Sequence, residues 1–231
     1  MHKEKLRIAF ISDIHGNLPA LEAVFRSIAS FEVDSVICLG DIVGYGARPN
    51  ECVELLRQNS IPSILGNHDA AIIGSLPPSR MNTNARIAAE WTIANLNSDN
   101  RKFLQQLPMT MELQSILCVH SSPNAPDQWE YLFSPTEAAT SFSAFTQSVC
   151  FFGHTHCPVL FTNPIDGRRL INVGSVGQPR DRDPRSCFGL YDTKSGSFRW
   201  IRVEYDFSEA ARHIIEAGLP AYLAERLSSG S

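Results

Sequence analysis

Two histidines separated by one residue, His154 and His156, follow a short apolar run, VCFF, that is typical of a buried β-strand. Histidine is often only half-buried in proteins, so the pair could be two satisfied polar groups at a strand end. The alternative is that both imidazole rings bind one shared partner, such as a metal ion. The pair alone does not decide between these two interpretations.

Other strand ends carry residues of the same chemical kind. Five short apolar runs, each closed by turn residues, predict buried strands over 6–12, 35–40, 61–66, 115–120 and 148–153. The polar residues at or directly after their ends are Asp13, His15, Asp41, Asn67, His68, Asp69, His120, His154 and His156. Because ligands of open α/β sheets bind outside the carboxyl ends of the strands, we expect these side chains to meet at one edge.

The distribution of histidine favours a metal site. Five of the seven histidines fall at these strand ends, whereas His2 and His213 do not, and we assign those two no role. A set of Asp, Asn and His side chains without clustered cysteines suits divalent ions such as manganese, iron or zinc. We therefore interpret His154 and His156 as metal ligands.

Helical patterns lie between the predicted strands. They cover residues 18–29 and 49–57, a helical insert at about 70–108 with its pattern through Ile87, Trp91 and Leu96, and a tail at about 207–227. Shorter β-like runs follow position 157. The alternation of strands and helices predicts a largely parallel sheet with covering helices.

The composition is that of an ordinary globular protein. With 231 residues, 43% hydrophobic and 19% charged, the chain fits a single domain, which we assign to 1–231. A formal charge of −4 provides no basic footprint for nucleic acid or an anionic membrane. The start of the chain resembles neither a signal peptide nor a membrane span, so we expect a cytoplasmic location. No pattern indicates the oligomeric state.

The six cysteines predict packing rather than disulfides or a zinc ribbon. Cys38, Cys118 and Cys150 lie inside apolar runs, and the sequence contains no CxxC pair. We expect reduced thiols in the core. Cys157 adjoins the histidine pair, and we expect packing there too.

Five segments of the chain, in order, resemble the signature blocks of the calcineurin-like metallophosphoesterase family. They read SDIHGN, GDIVGYG, GNHD, VH and FGHTH, and they span residues 12–156. A later stretch, NVGSVGQPRDRDP, is similar to a phosphodiesterase-like subgroup of small bacterial and archaeal members. The resemblance implies an α/β fold in four layers: two mixed β-sheets packed face to face, flanked by helices.

The same resemblance implies two divalent metal ions, manganese first, with iron, zinc or nickel as alternatives. Asp41 would bridge the two ions. One ion would also bind Asp13, His15 and His156, and the other Asn67, His120 and His154.

The implied activity is hydrolysis of a small phosphate ester, above all a phosphodiester. A metal-bound hydroxide would attack phosphorus in line, without a covalent enzyme intermediate. His68 would carry no metal and would stabilise the phosphoryl oxygens or protonate the leaving oxygen. Asp69 would hold the His68 ring in place.

Two positions depart from the protein-phosphatase branch of this family, which reads GDxVDRG and GNHE. Here the second block continues as Gly44-Tyr45-Gly46 and the third ends in Asp69, which argues against a phosphoserine phosphatase. Three alternatives stay open: a phosphomonoesterase or nucleotide phosphatase with the same site, an inactive scaffold of this fold, and a metal-stabilised protein of unrelated fold.

The loop at 174–185 and the insert are the segments expected to recognise the leaving group. The loop contains Arg180, whose guanidinium suits a phosphate oxygen, so we predict that Arg180 binds substrate. The alternative is that its arginines pair locally with Asp181 and Asp183 on the surface.

Overall fold

The structure, a computed structural model, describes residues 6–231 and forms two β-sheets there. The strands are β1 (Arg7–Ile11), β2 (Ser35–Cys38), β3 (Thr110–Leu113), β4 (Ile116–Val119), β5 (Val149–Phe152), β6 (Val159–Thr162), β7 (Arg169–Asn172), β8 (Ser186–Asp192) and β9 (Phe198–Val203). Sheet A has the order β2-β1-β8-β9, and sheet B has the order β3-β4-β5-β7-β6.

Both sheets are mixed. In sheet A, β1 pairs parallel with β2 and antiparallel with β8, which pairs antiparallel with β9. In sheet B, β4, β5 and β7 are parallel, and β3 and β6 are antiparallel edge strands. The prediction of a largely parallel sheet is wrong, because β8 and β9 return antiparallel beside β1. The two mixed sheets implied by the family resemblance are confirmed.

The helices cover the outer faces of the sheets. They are α1 (Leu18–Ile28), α2 (Pro49–Gln58), α3 (Asn67–Ile72), α4 (Thr83–Asn95), α5 (Ser98–Gln105), α6 (Pro135–Ser141), α7 (Phe207–Glu216) and α8 (Ala221–Glu225). The Asn17 side chain caps α1, and Pro49 opens α2, as first helical turns favour. The predicted tail is divided into α7 and α8, because Gly218, at φ +71°, and Pro220 interrupt it. No helix in the described range is long and apolar enough to cross a membrane.

Apolar side chains on both faces of each sheet hold four layers together. Between the sheets, the rings of Phe10 and Phe151 stack with their centroids 4.0 Å apart. On the outer face of sheet A, Ile11 belongs to a cluster with the apolar faces of α1 and α2. On the outer face of sheet B, Phe152 packs with residues of α6. The strands therefore bury both faces, which explains their nearly continuous apolar sequences.

The predicted strand at 61–66 is reduced to a single bridge between Ser63 and Cys38. Pro62 has no backbone N–H to donate, so a continuous ladder cannot form there. The N–H of Leu65 donates instead to the carbonyl oxygen of Pro108, away from β2. The prediction of a full strand is therefore wrong, although the segment still lies beside β2.

Helices α4 and α5 lie in the segment at 70–108. The sequence pattern through Ile87 predicts an apolar face, yet Ile87 is 38% exposed. The buried face consists of small side chains, Ala85, Ala88 and Ala89, which allow close approach of neighbouring elements. The assignment of this segment as an insert within one domain stays a prediction.

All six cysteines are free thiols, as expected. Five are buried, and Cys157 is half-buried, with its Sγ 3.4 Å from the carbonyl oxygen of Arg180. The thiols therefore pack rather than cross-link within this fold.

Candidate metal centre

The loops after β1, β2, β4 and β5 bring all seven predicted ligands together. Two groups of side chains offer ligand atoms within 4.8 Å of one another: Asp13, His15, Asp41 and His156, and then Asp41, His120 and His154. The amide oxygen of Asn67, at the start of α3, lies 3.3 Å from Nε2 of His120. Asn67 is half-buried, whereas the other six are buried. The family resemblance assigns these side chains to two metal sites, and the two groups separate them in the same way. Asp41 belongs to both groups.

Hydrogen bonds fix which ring nitrogen of each histidine faces the centre. The bonds are His15 Nδ1 to Val43 O (3.2 Å), His120 Nδ1 to Leu39 O (2.7 Å), His156 Nδ1 to Gln178 O (2.6 Å) and His154 Nε2 to Trp129 O (2.9 Å). A carbonyl oxygen only accepts, so each of these nitrogens carries the ring hydrogen. In the neutral form of each ring the other nitrogen presents a lone pair, as in metal sites where a carbonyl orients the imidazole.

The donor atoms fit cations that lie between them. Nε2 of His15 is 3.1 Å from Nε2 of His156, and two lone pairs at this distance repel each other unless a positive charge separates them. The Oδ2 atom of Asp41 is buried and makes no hydrogen bond, although Nε2 of His120 lies 3.3 Å and Nε2 of His15 lies 3.6 Å from it. A buried carboxylate oxygen without a partner is costly, and a bound cation would satisfy it. Oxygen and imidazole donors together suit divalent ions.

The backbone at the site is strained. Asp13, His15, Asp41, His154 and His156 all have left-handed φ angles, between 51° and 65°. Such a conformation costs a residue with a side chain about 1–3 kcal/mol and persists where surrounding contacts enforce it. Five candidate ligands in this conformation indicate loops that are shaped for a function.

Close packing of two loops requires a glycine before the histidine pair. A side chain at Gly153 would place its Cβ 2.0 Å from Oγ of Ser12 and 2.6 Å from Oδ2 of Asp13. The next backbone N–H, that of His154, donates to the same Asp13 oxygen at 3.1 Å. The glycine thus allows the loop after β5 to approach the carboxylate directly.

Burial and mutual charge set the protonation of the centre. Burial raises the pKa of Asp13 to about 7, and nearby Asp41 adds to this effect. Burial would also raise the pKa of Asp41, but His120 and His68 outweigh it and hold that pKa well below its usual range. Burial opposes charging of His120, yet Asp41 raises its pKa to about 9. Burial lowers the pKa of His154 to about 3, so that ring is neutral and free to bind a cation.

His68 lies beside the candidate ligands on α3. Its backbone N–H donates to Oδ1 of Asp41 at 2.8 Å, and its ring lies 4.4 Å from that of Tyr45, between centroids. Its Nδ1 is buried without a hydrogen-bond partner and packs against Gly44, where an added Cβ would lie 2.6 Å away. The ring lines a cleft.

Asp69 does not hold the His68 ring, contrary to the prediction. Its Oδ1 accepts hydrogen bonds from the backbone N–H groups of Ile42 and Val43, and its Oδ2 accepts one from Gly66. Successive residues of a helix point in different directions, so adjacent side chains on α3 do not face each other. Asp69 therefore ties the loop after β2 to the start of α3, and it positions His68 through the backbone.

We expect Asp69→Asn to lower the free energy of unfolding by about 2–4 kcal/mol, because an amide nitrogen cannot accept from a buried backbone N–H. Urea unfolding of the metal-free protein measures this change. Asp34→Asn is the control: the exposed Asp34 accepts a single bond, from the N–H of Arg7, so a loss below about 1 kcal/mol is expected. Equal losses in the two variants would contradict the structural role of Asp69.

The arginines of the loop after β7 have different partners. Arg185 pairs with Asp183 at 2.7 Å on the surface, as the alternative interpretation expects. Arg180 instead donates to the hydroxyl of Tyr45 at 3.4 Å, and its guanidinium lies 5.7 Å from the centre of that ring. Because Tyr45 also contacts His68, Arg180 lies close to the candidate site.

A cleft of about 200 Å³ opens at His68. The segment at 70–108 contributes side chains such as Leu76 and Met81, and the loop after β4 contributes Trp129 and Tyr131. The Tyr131 ring stacks on His154 with the centroids 4.2 Å apart. Sequence patterns did not indicate these aromatic residues, because they follow neither a strand nor a recognisable block; their clustering in WEY is the only signal.

A sequence model of the calcineurin-like phosphoesterase superfamily domain matches residues 6–196. The chain belongs to this superfamily. Relatives cover nearly the whole chain: an uncharacterized protein of Methanocaldococcus jannaschii is 39% identical over 98% of this chain and 99% of its own length. The phosphodiesterase YfcE of Escherichia coli is 27% identical over 81% of this chain and 88% of its own.

Solved structures agree with this membership. A metallophosphoesterase from Sphaerobacter thermophilus superimposes with a TM-score of 0.87 at 40% identity, covering 99% of this chain and 100% of that protein. Membership confirms the resemblance noted from the signature blocks and excludes an unrelated fold. As a calcineurin-like phosphoesterase, the protein is a hydrolase that acts on phosphoester bonds.

Proposed function

We propose that this calcineurin-like protein is a metal-dependent phosphodiesterase in which Asp41 bridges two divalent ions. The observation that carries this proposal is that two groups of buried donor atoms share Asp41, whose Oδ2 lacks a hydrogen-bond partner. Asp13, His15 and His156 would complete one metal site, and Asn67, His120 and His154 the other. We place manganese first because the family resemblance implies it, and the imidazole and oxygen donors also suit iron, zinc or nickel.

Two bound ions would place positive charge beside the phosphoryl oxygens and activate a water molecule for in-line attack. The chain's own residues fix the donor atoms in the positions from which they would bind the ions. Backbone carbonyl oxygens orient the imidazole rings of the four ligand histidines, and the strained loops fix both carboxylates. Such preorganisation reduces the rearrangement needed when the substrate reacts.

His68 is the residue that we place against the reacting atoms. Burial lowers its pKa to about 4, so the ring is neutral near pH 7. Since Nδ1 is buried without a hydrogen-bond partner, we place the ring hydrogen on Nε2, the other nitrogen of this cleft-lining ring. The neutral ring can donate a hydrogen bond from Nε2 to a phosphoryl oxygen, whereas protonation of the leaving oxygen would require the imidazolium form. Asp69 positions this residue rather than taking part in the chemistry.

The shape of the cleft favours a diester. A phosphodiester carries two organic groups, and two segments of the chain line the cleft at His68 with apolar and aromatic side chains, Leu76 and Met81 from one and Trp129 and Tyr131 from the other. The name of the relative YfcE, a phosphodiesterase, supports the same substrate class. The segment at 70–108 and the loop after β4 would then recognise the two ester groups.

The test compares two chromogenic substrates. Protein treated with a chelator and reloaded with Mn²⁺ is assayed on bis(p-nitrophenyl) phosphate and on p-nitrophenyl phosphate. We expect metal-dependent turnover with kcat/KM at least about tenfold higher for the diester. A preference for the monoester would assign the site to a phosphomonoesterase. Two bound ions without turnover of either compound would indicate an inactive scaffold.

Arg180→Ala is expected to weaken the binding of substrate and of inorganic phosphate by about 1.5–3 kcal/mol, because a charged donor near the site is lost. Metal content should stay unchanged, since the Arg180 side chain bonds to Gln178 and Tyr45 and to no donor atom of the candidate ligands. Arg185→Ala, from the same loop, is the control and should keep KM within about twofold. If KM and phosphate inhibition also stay within twofold in Arg180→Ala, Arg180 does not bind substrate.

A further inference from the structure

A second cleft, of about 470 Å³, adjoins the first, and Tyr45 and Asn82 line both. Two arginines line it from distant parts of the chain, Arg180 in the loop after β7 and Arg226 directly after α8. The remaining lining comes from Tyr222 and the first residues of α4. No acidic side chain lines the cleft in the part of the chain that the structure describes.

Neither arginine pairs with an Asp or Glu side chain among the described residues. Arg180 donates through Nε and Nη2 to the amide oxygen of Gln178, and through Nη2 to Tyr45. Arg226 donates through Nε to a main-chain oxygen of Ser231. These bonds leave Nη1 of Arg180 and both Nη atoms of Arg226 available within residues 6–231.

The two guanidinium groups line the same cleft. Burial lowers the pKa of Arg226, and the positive charge of Arg180 lowers it further. An aromatic ring supports each group: Arg180 lies over Tyr45, and Arg226 lies 5.3 Å from the ring centre of Tyr222. Like charges fixed side by side repel, and an anion that contacts both would remove this repulsion.

We propose that Arg180 and Arg226 bind a second phosphate group of the substrate. The substrate would be a phosphodiester with one ester group that carries another phosphate, and this phosphate would occupy the cleft between the arginines. Thr83 and Asn84, the first residues of α4, line the same cleft, so the positive end of the helix dipole lies beside it. The substrate class rests on the proposed function, whereas the anion site does not.

The anion site can be tested without catalysis. Calorimetry measures the binding of inorganic pyrophosphate to the chelator-treated, metal-free protein. We expect Arg226→Gln to weaken binding about tenfold or more, and Arg226→Lys, which keeps the charge, to weaken it less. Arg212→Gln is the control, because Arg212 is exposed on α7 and pairs with Glu216 at 2.9 Å. No binding by the parent protein, or equal binding by the parent and Arg226→Gln, would overturn the site.

Kinetics test the substrate class. The Mn²⁺-loaded protein is assayed on thymidine 5′-(4-nitrophenyl phosphate) with and without a 3′-phosphate, two substrates that share the reacting diester. The 3′-phosphate should raise kcat/KM about tenfold or more in the parent protein, and Arg226→Gln should remove most of this advantage. If the 3′-phosphate does not raise kcat/KM in the parent protein, or if the increase persists in Arg226→Gln, the proposed substrate class is refuted. If neither compound is hydrolysed while pyrophosphate binding depends on Arg226, the proposed function fails and the anion site stands.

Discussion

Asp41→Ala is expected to lose nearly all phosphoesterase activity, about 10³-fold or more, and to retain at most one tightly held metal ion per chain. Asp41 is the residue shared by the two groups of donor atoms, so its loss removes a ligand from both. His120 also loses the negative charge that raises its pKa. Elemental analysis of the Mn²⁺-loaded protein after gel filtration gives the metal content, and hydrolysis of the diester gives the activity.

Two further variants distinguish the loss of the bridging carboxylate from a general effect of a substitution on the protein. Asp41→Asn keeps an oxygen that can accept from the N–H of His68, so the loop stays held while the bridging charge is lost. Asp99→Ala is the surface control, because its carboxylate contacts Lys102 at 3.4 Å on exposed α5; metal content and turnover should be unchanged. Two tightly bound ions in Asp41→Ala would contradict the bridging role.

His68→Ala is expected to keep both metal ions and to lose about 10²–10⁴ in kcat, the usual range for a positioned acid or base. The reason is that its ring lines the cleft and contributes no atom to the two groups of candidate ligands. Steady-state kinetics with the diester, together with metal analysis of the same sample, measure the two quantities separately.

A purely structural role for His68 predicts a different result, in which stability falls and turnover does not. Urea unfolding of His68→Ala therefore accompanies the kinetics. His213→Ala is the control, because His213 lies on α7 outside the site; it should change turnover by less than about twofold. Turnover of His68→Ala within twofold of the parent would refute the catalytic role.

The position of the site could be predicted because the strands are buried on both faces. Continuous apolar runs such as VCFF mark these strands, and Asp13, Asp41, His120 and His154 stand where the runs end. Parallel neighbours in each sheet then bring those ends together. Residue types at the strand ends were sufficient to bring the candidate ligands together, although these strands belong to two sheets rather than to the one largely parallel sheet that was predicted.

Other features depend on contacts that no local pattern contains. The segment at 61–66 has the composition of a strand, but whether it pairs depends on where Pro62 falls and on the Pro108 carbonyl oxygen, which takes the Leu65 N–H. The edge strand β3 was missed, because its sequence TMEL is short and its side chains are half exposed. The packed face of α4 consists of alanines, which a search for large apolar residues overlooks.

The roles of individual residues were the least predictable. The family resemblance implied that Asp69 holds the His68 ring, yet the geometry of α3 directs its carboxylate to the backbone of Ile42 and Val43. Arg226 lies far along the chain from Arg180, and only the path of α7 and α8 brings the two to one cleft. Such pairings follow from the tertiary fold rather than from spacing.

The most direct measurement of the proposed bimetallic centre is anomalous diffraction from crystals of the Mn²⁺-loaded protein. We predict two manganese peaks per chain, one on each side of the Asp41 carboxylate. One peak should lie against His15 and His156, and the other against His120 and His154. A single peak, or two peaks that do not flank Asp41, would contradict the bridged centre.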